Sequence, residues 1–159
     1  MKSFTITEVL ISMGILFLIL SSSLLFLGGS NLDIVLKDEV YKIENYLRVA
    51  RYRSLIKEKD SNWGVYFYNL RERKPFYSIF FGNEWTEANS EGKKILDNYL
   101  FFNIPTSGAS TTVLFEELTG NLKNATSLEI EVRIKKMPNF GKKIKINQIG
   151  TIEVLDLRD

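Results

Sequence analysis

The sequence predicts an α+β protein in which a long N-terminal helix packs on antiparallel β-sheets. Residues 9–32 form an uncharged, largely apolar run, and apolar residues at helical spacing continue to about residue 60. From Trp63 onward the pattern changes to the alternation typical of strands. We therefore divide the chain into a short leader (1–3), an apolar helix half (4–32), an amphipathic helix half (33–60) and an antiparallel β domain (61–159).

The composition excludes several classes of enzyme. The chain has 159 residues and a formal net charge of +2, and it contains neither cysteine nor histidine. A disulfide framework, a Cys/His metal site, a Ser-His-Asp triad and a cysteine nucleophile are therefore excluded. We identify no catalytic, metal-binding or cofactor-binding residue, and we expect a protein that is not an enzyme and uses no cofactor.

The apolar run is long enough for a transmembrane helix, since roughly 20 apolar residues cross about 30 Å of hydrocarbon. A buried core helix is a poor alternative, because the rest of the chain is too short to surround it. A secretory signal peptide remains an alternative, with Ser21–Ser23 and Gly28-Gly29 resembling a cleavage site. The preferred prediction is a retained membrane anchor.

Glu8 lies directly at the head of this run. The residues Thr5-Ile6-Thr7-Glu8 match the capping box, in which the first and fourth residues satisfy N–H groups at a helix start. Glu8 can also pair with a positive group, such as the amino terminus of a neighbouring subunit, because an isolated charge among apolar side chains is costly. The spacing leaves both interpretations open.

Residues 3–11, with the sequence Ser-Phe-Thr-Ile-Thr-Glu-Val-Leu-Ile, resemble the N-terminal signature of type IV pilins and type II secretion pseudopilins. The resemblance implies cleavage by a prepilin peptidase between Ser3 and Phe4, and methylation of the new amino terminus at Phe4. It also implies that Glu8 forms a salt bridge with the amino terminus of an adjacent subunit. Ser3 occupies the place where the leaders of this family usually end in glycine.

The resemblance also implies partners and a location. The expected partners are other pilins or pseudopilins, bound through the N-terminal helix, together with the prepilin peptidase and the inner membrane. The protein would be a single-pass inner (cytoplasmic) membrane protein with its globular domain outside the cytoplasm. It would move into a filament on assembly.

The second helix half is amphipathic. Its apolar positions follow steps of four and three, which predicts one buried helix face: Leu36, Val40, Ile43, Leu47 and Ala50. The basic residues Arg48, Arg51 and Arg53 are expected on a solvated face. Charged residues 57–60 are expected to end the helix.

The β domain is predicted strand by strand. Aromatic-rich strands at 63–68 and 76–81 form a hairpin around a charged turn, 71–75, and their aromatic residues are expected in the core. Residues 83–98 are expected to be a loop. Short strands follow at 99–103 and 112–116, and a meander with strands at 128–134, 144–146 and 151–154 ends the chain, with a turn at 138–141.

Further landmarks behind the helix sharpen the resemblance. Trp63-Gly64-Val65 opens a strand, Thr119-Gly120 follows Phe115, and Gly150-Thr151-Ile152 closes the chain in a similar order to the H-type (GspH/FimT-like) minor pseudopilins. That group implies a pilin-like fold, with a long spine helix packed on two antiparallel sheets. The implied function is a structural subunit of a type IV pilus-like or type II secretion pseudopilus filament.

A basic cluster near the C-terminus suggests an alternative function. If residues 138–141 form a hairpin turn, six basic side chains converge on one edge and can meet phosphate groups. They are Arg133, Lys135, Lys136, Lys142, Lys143 and Lys145. Related FimT-like minor pilins take part in DNA uptake, so DNA binding is the alternative. Protection of an edge strand by lysines is the competing structural explanation.

Overall fold

The computed structural model describes residues 5–123 and 125–158, without the side chains of residues 20–31 and 158. The chain divides into two compact units, Met1–Ile34 and Val35–Asp159. The described part of the first unit consists of Thr5 and helix. The second contains the rest of that helix and eight strands.

Helix α1 (Ile6–Leu55) begins after Thr5. Among the described residues, no helix is both long and apolar enough to cross a membrane. The predicted single-pass inner-membrane anchor is therefore contradicted.

The predicted fold class is also wrong in its main helical feature. It expected a long N-terminal spine helix, apolar in its first half, packed on antiparallel sheets. Residues up to Ile34 instead form a unit of their own, and the described side chains of residues 6–19 are exposed. Only the helical residues from Val35 onward belong to the unit that contains the sheets.

That second part of α1 packs as its periodicity predicts. Leu36, Val40, Ile43, Leu47 and Ala50 are all buried, at 3 % exposure or less. The helix ends at Leu55, and one 3₁₀ turn (Glu58–Asp60) reverses the chain. The stripe follows steps of four and three, so burial on one side follows directly from helix geometry.

The first sheet contains β1 (Trp63–Tyr68), β2 (Phe76–Phe81), β3 (Ser90–Ile95) and β5 (Ser110–Phe115), in the order β3-β2-β1-β5. The predicted aromatic hairpin is confirmed, with Trp63 opposite Phe81 and Tyr68 opposite Phe76. Its aromatic residues form the core as predicted. The loop prediction for 83–98 is wrong, because β3 lies within it.

The second sheet contains β4 (Leu100–Ile104), β6 (Ser127–Ile134), β7 (Met137–Asn147) and β8 (Ile152–Arg158), in the order β4-β6-β7-β8. All its pairings are antiparallel, so the predicted meander β6-β7-β8 is confirmed. The predicted turn at 138–141 is wrong. Ile134 pairs with Met137 and Arg133 with Gly141, so the chain turns at 135–136 and residues 138–140 form a bulge.

The two sheets and the helix share one core. The ring of Phe67 on β1 meets that of Phe102 on β4 edge to face, with centroids 5.8 Å apart. The buried side-chain amide of Asn69 donates to the carbonyls of Phe102 and Pro105. Residues after β1 are thereby bound to β4 in the other sheet.

Arg51 joins the helix to two turns of the β domain. Its Nε donates to the carbonyl of Gly120 at 3.2 Å, and its Nη2 donates to the carbonyl of Ile149 at 2.9 Å. Gly150 lies directly against the Arg51 side chain and the Gly120 carbonyl. A Cβ at that position would lie 2.3 Å from the Gly120 carbonyl oxygen and 2.6 Å from Arg51 Nε.

Replacement of Gly150 tests this junction. Gly150 has a positive φ of 76°, so Gly150→Ala combines backbone strain with a clash against main chain, and we expect a loss of ~3 kcal/mol in unfolding free energy. Gly108→Ala is the matched control, since Gly108 also has a positive φ but nothing lies within 4 Å of its added Cβ. It should cost only ~1 kcal/mol. Equal losses in urea denaturation would contradict the junction.

Candidate functional site

The start of α1 is a capping box. The backbone N–H of Thr5 donates to Glu8 Oε2 at 3.1 Å, and the backbone N–H of Glu8 reaches Thr5 Oγ1 at 3.4 Å. The Thr5 hydroxyl also donates to Glu8 Oε2, at 3.0 Å. The capping interpretation from the sequence is therefore confirmed. It places a carboxylate at the helix start, where the free N–H groups favour negative charge.

The same contacts set the ionisation of Glu8. The hydrogen bond from the Thr5 backbone lowers the pKa of Glu8, and the hydrogen bond from the Thr5 hydroxyl lowers it further. Glu8 is exposed, so its carboxylate is charged at neutral pH. Both Thr5 bonds end on Oε2, and Oε1 has no partner among the described residues. The capped carboxylate can therefore still accept a bond from a cation.

An exposed apolar surface lies around this carboxylate and beyond it, from Ile6 to Ile19. Its ten large side chains are 46–81 % exposed, and no residue between Glu8 and position 19 is charged. At 100° per residue their positions cover every side of the helix. They are Ile6, Val9, Leu10, Ile11, Met13, Ile15, Leu16, Phe17, Leu18 and Ile19. An apolar surface of this extent is typical of an interaction site.

The other predicted N-terminal residues cannot be placed. Ser3 and Phe4, the predicted cleavage and methylation sites, lie outside the described residues. Residues 5–11 of the pilin-like signature are described, and Glu8 is the charged one among them. Residues 5–19, headed by the Thr5–Glu8 capping box, are therefore the candidate site, and we call them the apolar segment.

The six basic residues predicted to converge on one edge do not do so. They lie on or between β6 and β7, which are the two interior strands of the second sheet. The edge-protection explanation is therefore wrong as well. In the strand register, Lys142 shares a face with the core residue Ile144, whereas Lys143 and Lys145 lie on the opposite face.

Acidic side chains of the same and of neighbouring strands form ion pairs with three of these six basic residues. Lys143 Nζ lies 2.9 Å from Glu129, Lys142 contacts Asp156, and Arg133 contacts Glu131. The hydrogen bond to Glu129 raises the pKa of Lys143, and the nearby charge of Glu131 adds to this effect. The absence of acids between Glu131 and Glu153 in the sequence is thus offset by pairing across the strands for Lys142 and Lys143, and by Glu131 of the same strand for Arg133. The hairpin is a mixed-charge surface.

The remaining lysines of the cluster differ in their contacts. Lys135 Nζ donates to the carbonyl of Asn98 at 2.8 Å. Lys136 and Lys145 have no ion pair or side-chain hydrogen bond with any described residue. Lys145 lies between Glu129 and Glu153 in the register, whereas Lys136 lies in the turn. Any phosphate contact by this hairpin would therefore depend most on these last two residues.

A second charged cluster was missed by the sequence analysis. Arg53 lies over the ring of Trp63, 4.5 Å from its centroid, and its Nη1 is 2.6 Å from Glu91. Lys59 contacts Glu91 and lies over Phe81. The hydrogen bond from Lys59 lowers the pKa of Glu91, and Arg53 lowers it further. Arg53 is thus not simply solvated, and Glu91 was assigned to a loop.

The ionisation of Glu8 gives a pH test. A carboxylate with a lowered pKa in the folded state stabilises the helix start at pH values above its unfolded pKa. This contribution is lost as the pH falls through the folded pKa. We expect the helix signal of residues 5–12 to weaken in acid, as followed by NMR. In Glu8→Gln the amide should keep the cap without the acid dependence. The same acid loss in this variant would contradict the assignment.

DNA binding by the hairpin can be tested at Lys136 and Lys145, the two lysines that form no ion pair or side-chain hydrogen bond with a described residue. If this surface binds duplex DNA, Lys136→Glu/Lys145→Glu should reduce the affinity at least tenfold and flatten its salt dependence. Lys37→Glu/Lys94→Glu, which makes the same change of charge elsewhere, should have a smaller effect. Fluorescence anisotropy over a salt series measures both. Affinity that does not fall with salt would contradict phosphate recognition.

Comparison of the chain with models of protein families, with curated proteins and with solved structures gives no match. The resemblance to type IV pilins and pseudopilins therefore stays a prediction. It depends on the motif at residues 3–11 and on the order of the landmarks that follow. In the structure, its most specific described feature is the capped Glu8 at the head of the apolar segment.

Proposed function

We propose that the protein is a structural subunit of a type IV pilus-like or type II secretion pseudopilus filament. In this filament the apolar segments of neighbouring subunits pack against one another. The observation that carries the proposal is the apolar segment itself, which is exposed on every side and has one carboxylate at its head. A helix that is apolar all round needs neighbours on all sides, and a bundle of like helices supplies them.

The energy available from this packing is large. Burial of one large apolar side chain contributes about 1.5–3 kcal/mol, so ten of them offer on the order of 20 kcal/mol in gross terms. Loss of translational and rotational freedom opposes assembly by about 4–15 kcal/mol. With the whole segment covered, the gain exceeds this cost and favours assembly.

Glu8 would give this apolar packing a defined stagger. A charge enclosed among apolar neighbours is strongly unfavourable unless it meets an opposite charge. The amino terminus of an adjacent subunit supplies such a charge in the family that the sequence resembles. Oε1 can accept that contact while Oε2 keeps the cap. The pairing would therefore select one axial offset from the many that apolar contacts alone allow.

The DNA-binding alternative has weaker support. Its basic residues lie on two interior strands or in the turn between them, and three of them form ion pairs. Lys142 and Lys143 pair with acidic residues of neighbouring strands, and Arg133 pairs with Glu131 of its own strand. These pairs reduce the local positive field on which phosphate binding depends. The filament function does not depend on this hairpin, so we propose it first.

Variants at Glu8 test the proposed function. Glu8→Gln removes the charge while its amide preserves the capping box, so it separates assembly from helix formation. We expect its incorporation into filaments to fall at least tenfold in cells that contain the assembly machinery. Glu8→Asp keeps the charge and should retain part of the incorporation of the unchanged protein. The measurement is the amount of subunit in sheared filaments relative to total subunit.

One control variant and one further test variant complete the experiment. Glu72→Gln makes the same change at an exposed carboxylate in the turn between β1 and β2, and its incorporation should be normal. Leu16→Lys places a charge within the apolar segment and should also prevent assembly, since Leu16 is 62 % exposed and would be buried by neighbours. Normal incorporation of both Glu8→Gln and Leu16→Lys would refute the proposal.

A further inference from the structure

Basic side chains from two turns and one strand end come together at one end of the β domain. The β1–β2 turn leads into β2 at Phe76, and Phe76 lies opposite Ile95 at the end of β3. The end of β3 is therefore beside this turn. The basic residues of these two segments are Arg71, Arg73, Lys74, Lys93 and Lys94.

The segment between β3 and β4 connects this end of the first sheet to the second sheet. The N–H of Leu96 donates to the carbonyl of Pro75, next to the β1–β2 turn, at 2.9 Å. The N–H of Lys135 donates to the carbonyl of Tyr99, also at 2.9 Å. The β6–β7 turn, which contains Lys135 and Lys136, therefore belongs to the same end of the domain.

We call these seven basic residues the basic pole, and all seven are exposed. The same segments and the adjoining β2–β3 loop contribute three acidic residues. Glu87 lies 3.4 Å from Lys93 Nζ and 3.6 Å from Arg73 Nη1, and the other two are Glu72 and Asp97. Seven of the 21 basic residues and three of the 19 acidic residues of the chain are thus concentrated here. The rest of the chain has a net charge of −2.

Most of the basic pole is available to a partner. Four of its residues form no ion pair or side-chain hydrogen bond with a described residue: Arg71, Lys74, Lys94 and Lys136. The Lys135 side chain donates to a main-chain carbonyl, which leaves its charge uncompensated. Uncompensated charges of one sign at a single exposed end create a local field that attracts an anionic partner.

Exposed apolar and aromatic side chains lie among these cations. Ile95 is 60 % exposed, Tyr99 is 53 % exposed and Met137, which follows the β6–β7 turn, is 36 % exposed. Tyrosine is enriched at membrane–water interfaces, because its ring is apolar and its hydroxyl remains in water. The phosphates of a nucleic acid offer no contact to an aliphatic side chain such as Ile95. The mixture of cations with apolar side chains therefore favours a lipid surface.

We propose that the basic pole binds the headgroups of an anionic lipid surface. The lysine and arginine side chains meet the lipid phosphates, and Ile95 and Tyr99 reach the boundary between headgroups and acyl chains. Turns at one end of a domain can all touch one flat surface, whereas a nucleic-acid strand requires cations along a groove. The contact is peripheral and needs no membrane-spanning helix. It adds a binding surface that the proposed filament function does not require.

A fluorescent label at Tyr99 tests the contact directly, because the chain contains no cysteine. We label Tyr99→Cys in the full chain with an environment-sensitive fluorophore and add vesicles of equal parts phosphatidylglycerol and phosphatidylcholine. The emission should shift to shorter wavelength, and the shift should disappear at high salt. Vesicles of phosphatidylcholine alone should produce no shift at this position, whether or not the apolar segment binds them.

Ile149→Cys is the matched control for the label. Ile149 is 61 % exposed and lies in the β7–β8 turn, at the opposite end of the second sheet from the β6–β7 turn. A label at this position should not respond to either kind of vesicle. Equal shifts at positions 99 and 149 would overturn the proposal, since the basic pole would then not be the surface in contact.

A charge exchange provides the second measurement. Arg71→Glu/Lys136→Glu, made in the Tyr99→Cys chain, should raise the concentration of anionic lipid needed for half of the shift at least tenfold. Lys57→Glu/Lys123→Glu makes the same change of charge outside the basic pole and should leave that concentration nearly unchanged. The same response in both double variants would contradict the proposal.

Two further additions identify the source of the phosphate. Inorganic phosphate that abolishes the shift at constant ionic strength would show a site for free phosphate and would overturn the proposal. A shift with duplex DNA and none with vesicles would also overturn it, because the partner would then be a nucleic acid. These measurements involve neither Glu8 nor filament assembly, so failure here would leave the proposed filament function standing.

Discussion

The buried hydroxyl of Ser54 holds the helix on the β domain, and the rest of the second unit depends on it. The N–H of Trp63 donates to Ser54 Oγ at 2.8 Å, and Oγ in turn donates to the carbonyl of Phe115 at 3.1 Å. The carbonyl of Ser54 accepts the N–H of Leu118. One residue near the end of α1 thus fixes the start of β1 and the end of β5. A buried polar group with satisfied hydrogen bonds specifies one arrangement, since any shift leaves it unpaired.

The two units differ in whether their apolar side chains are buried within the chain. In the second unit, the stripe from Leu36 to Ala50 and the aromatic residues of β1 and β2 are buried within the chain itself. In the first, the apolar segment has no comparable cover among the described residues, although it carries ten large apolar side chains. Water disfavours that surface in proportion to its area. The proposed filament resolves the difference, because identical segments from other subunits can provide the cover.

The sequence predicted the features that depend on a local period. The helical stripe, the aromatic hairpin, the alternating strand β6 and the capping box at Thr5 and Glu8 all lie where the pattern placed them. Strand β3 was missed because it is a polar edge strand with little burial, so it shows no alternation. The neutralisation of the basic hairpin was missed because it depends on register. A bulge at 138–140 sets which acid faces which lysine, and spacing along the chain does not give that information.

The same register is compatible with the filament proposed above. Charges that remain unpaired on a subunit repel when many copies are brought together, and a dense filament would multiply that cost. Here Lys142, Lys143 and Arg133 are paired with acids of the same chain, and the formal net charge of the whole sequence is only +2. A surface built to capture polyanions would keep such lysines free. Pairing them within the sheet leaves a domain that can be packed closely against its neighbours.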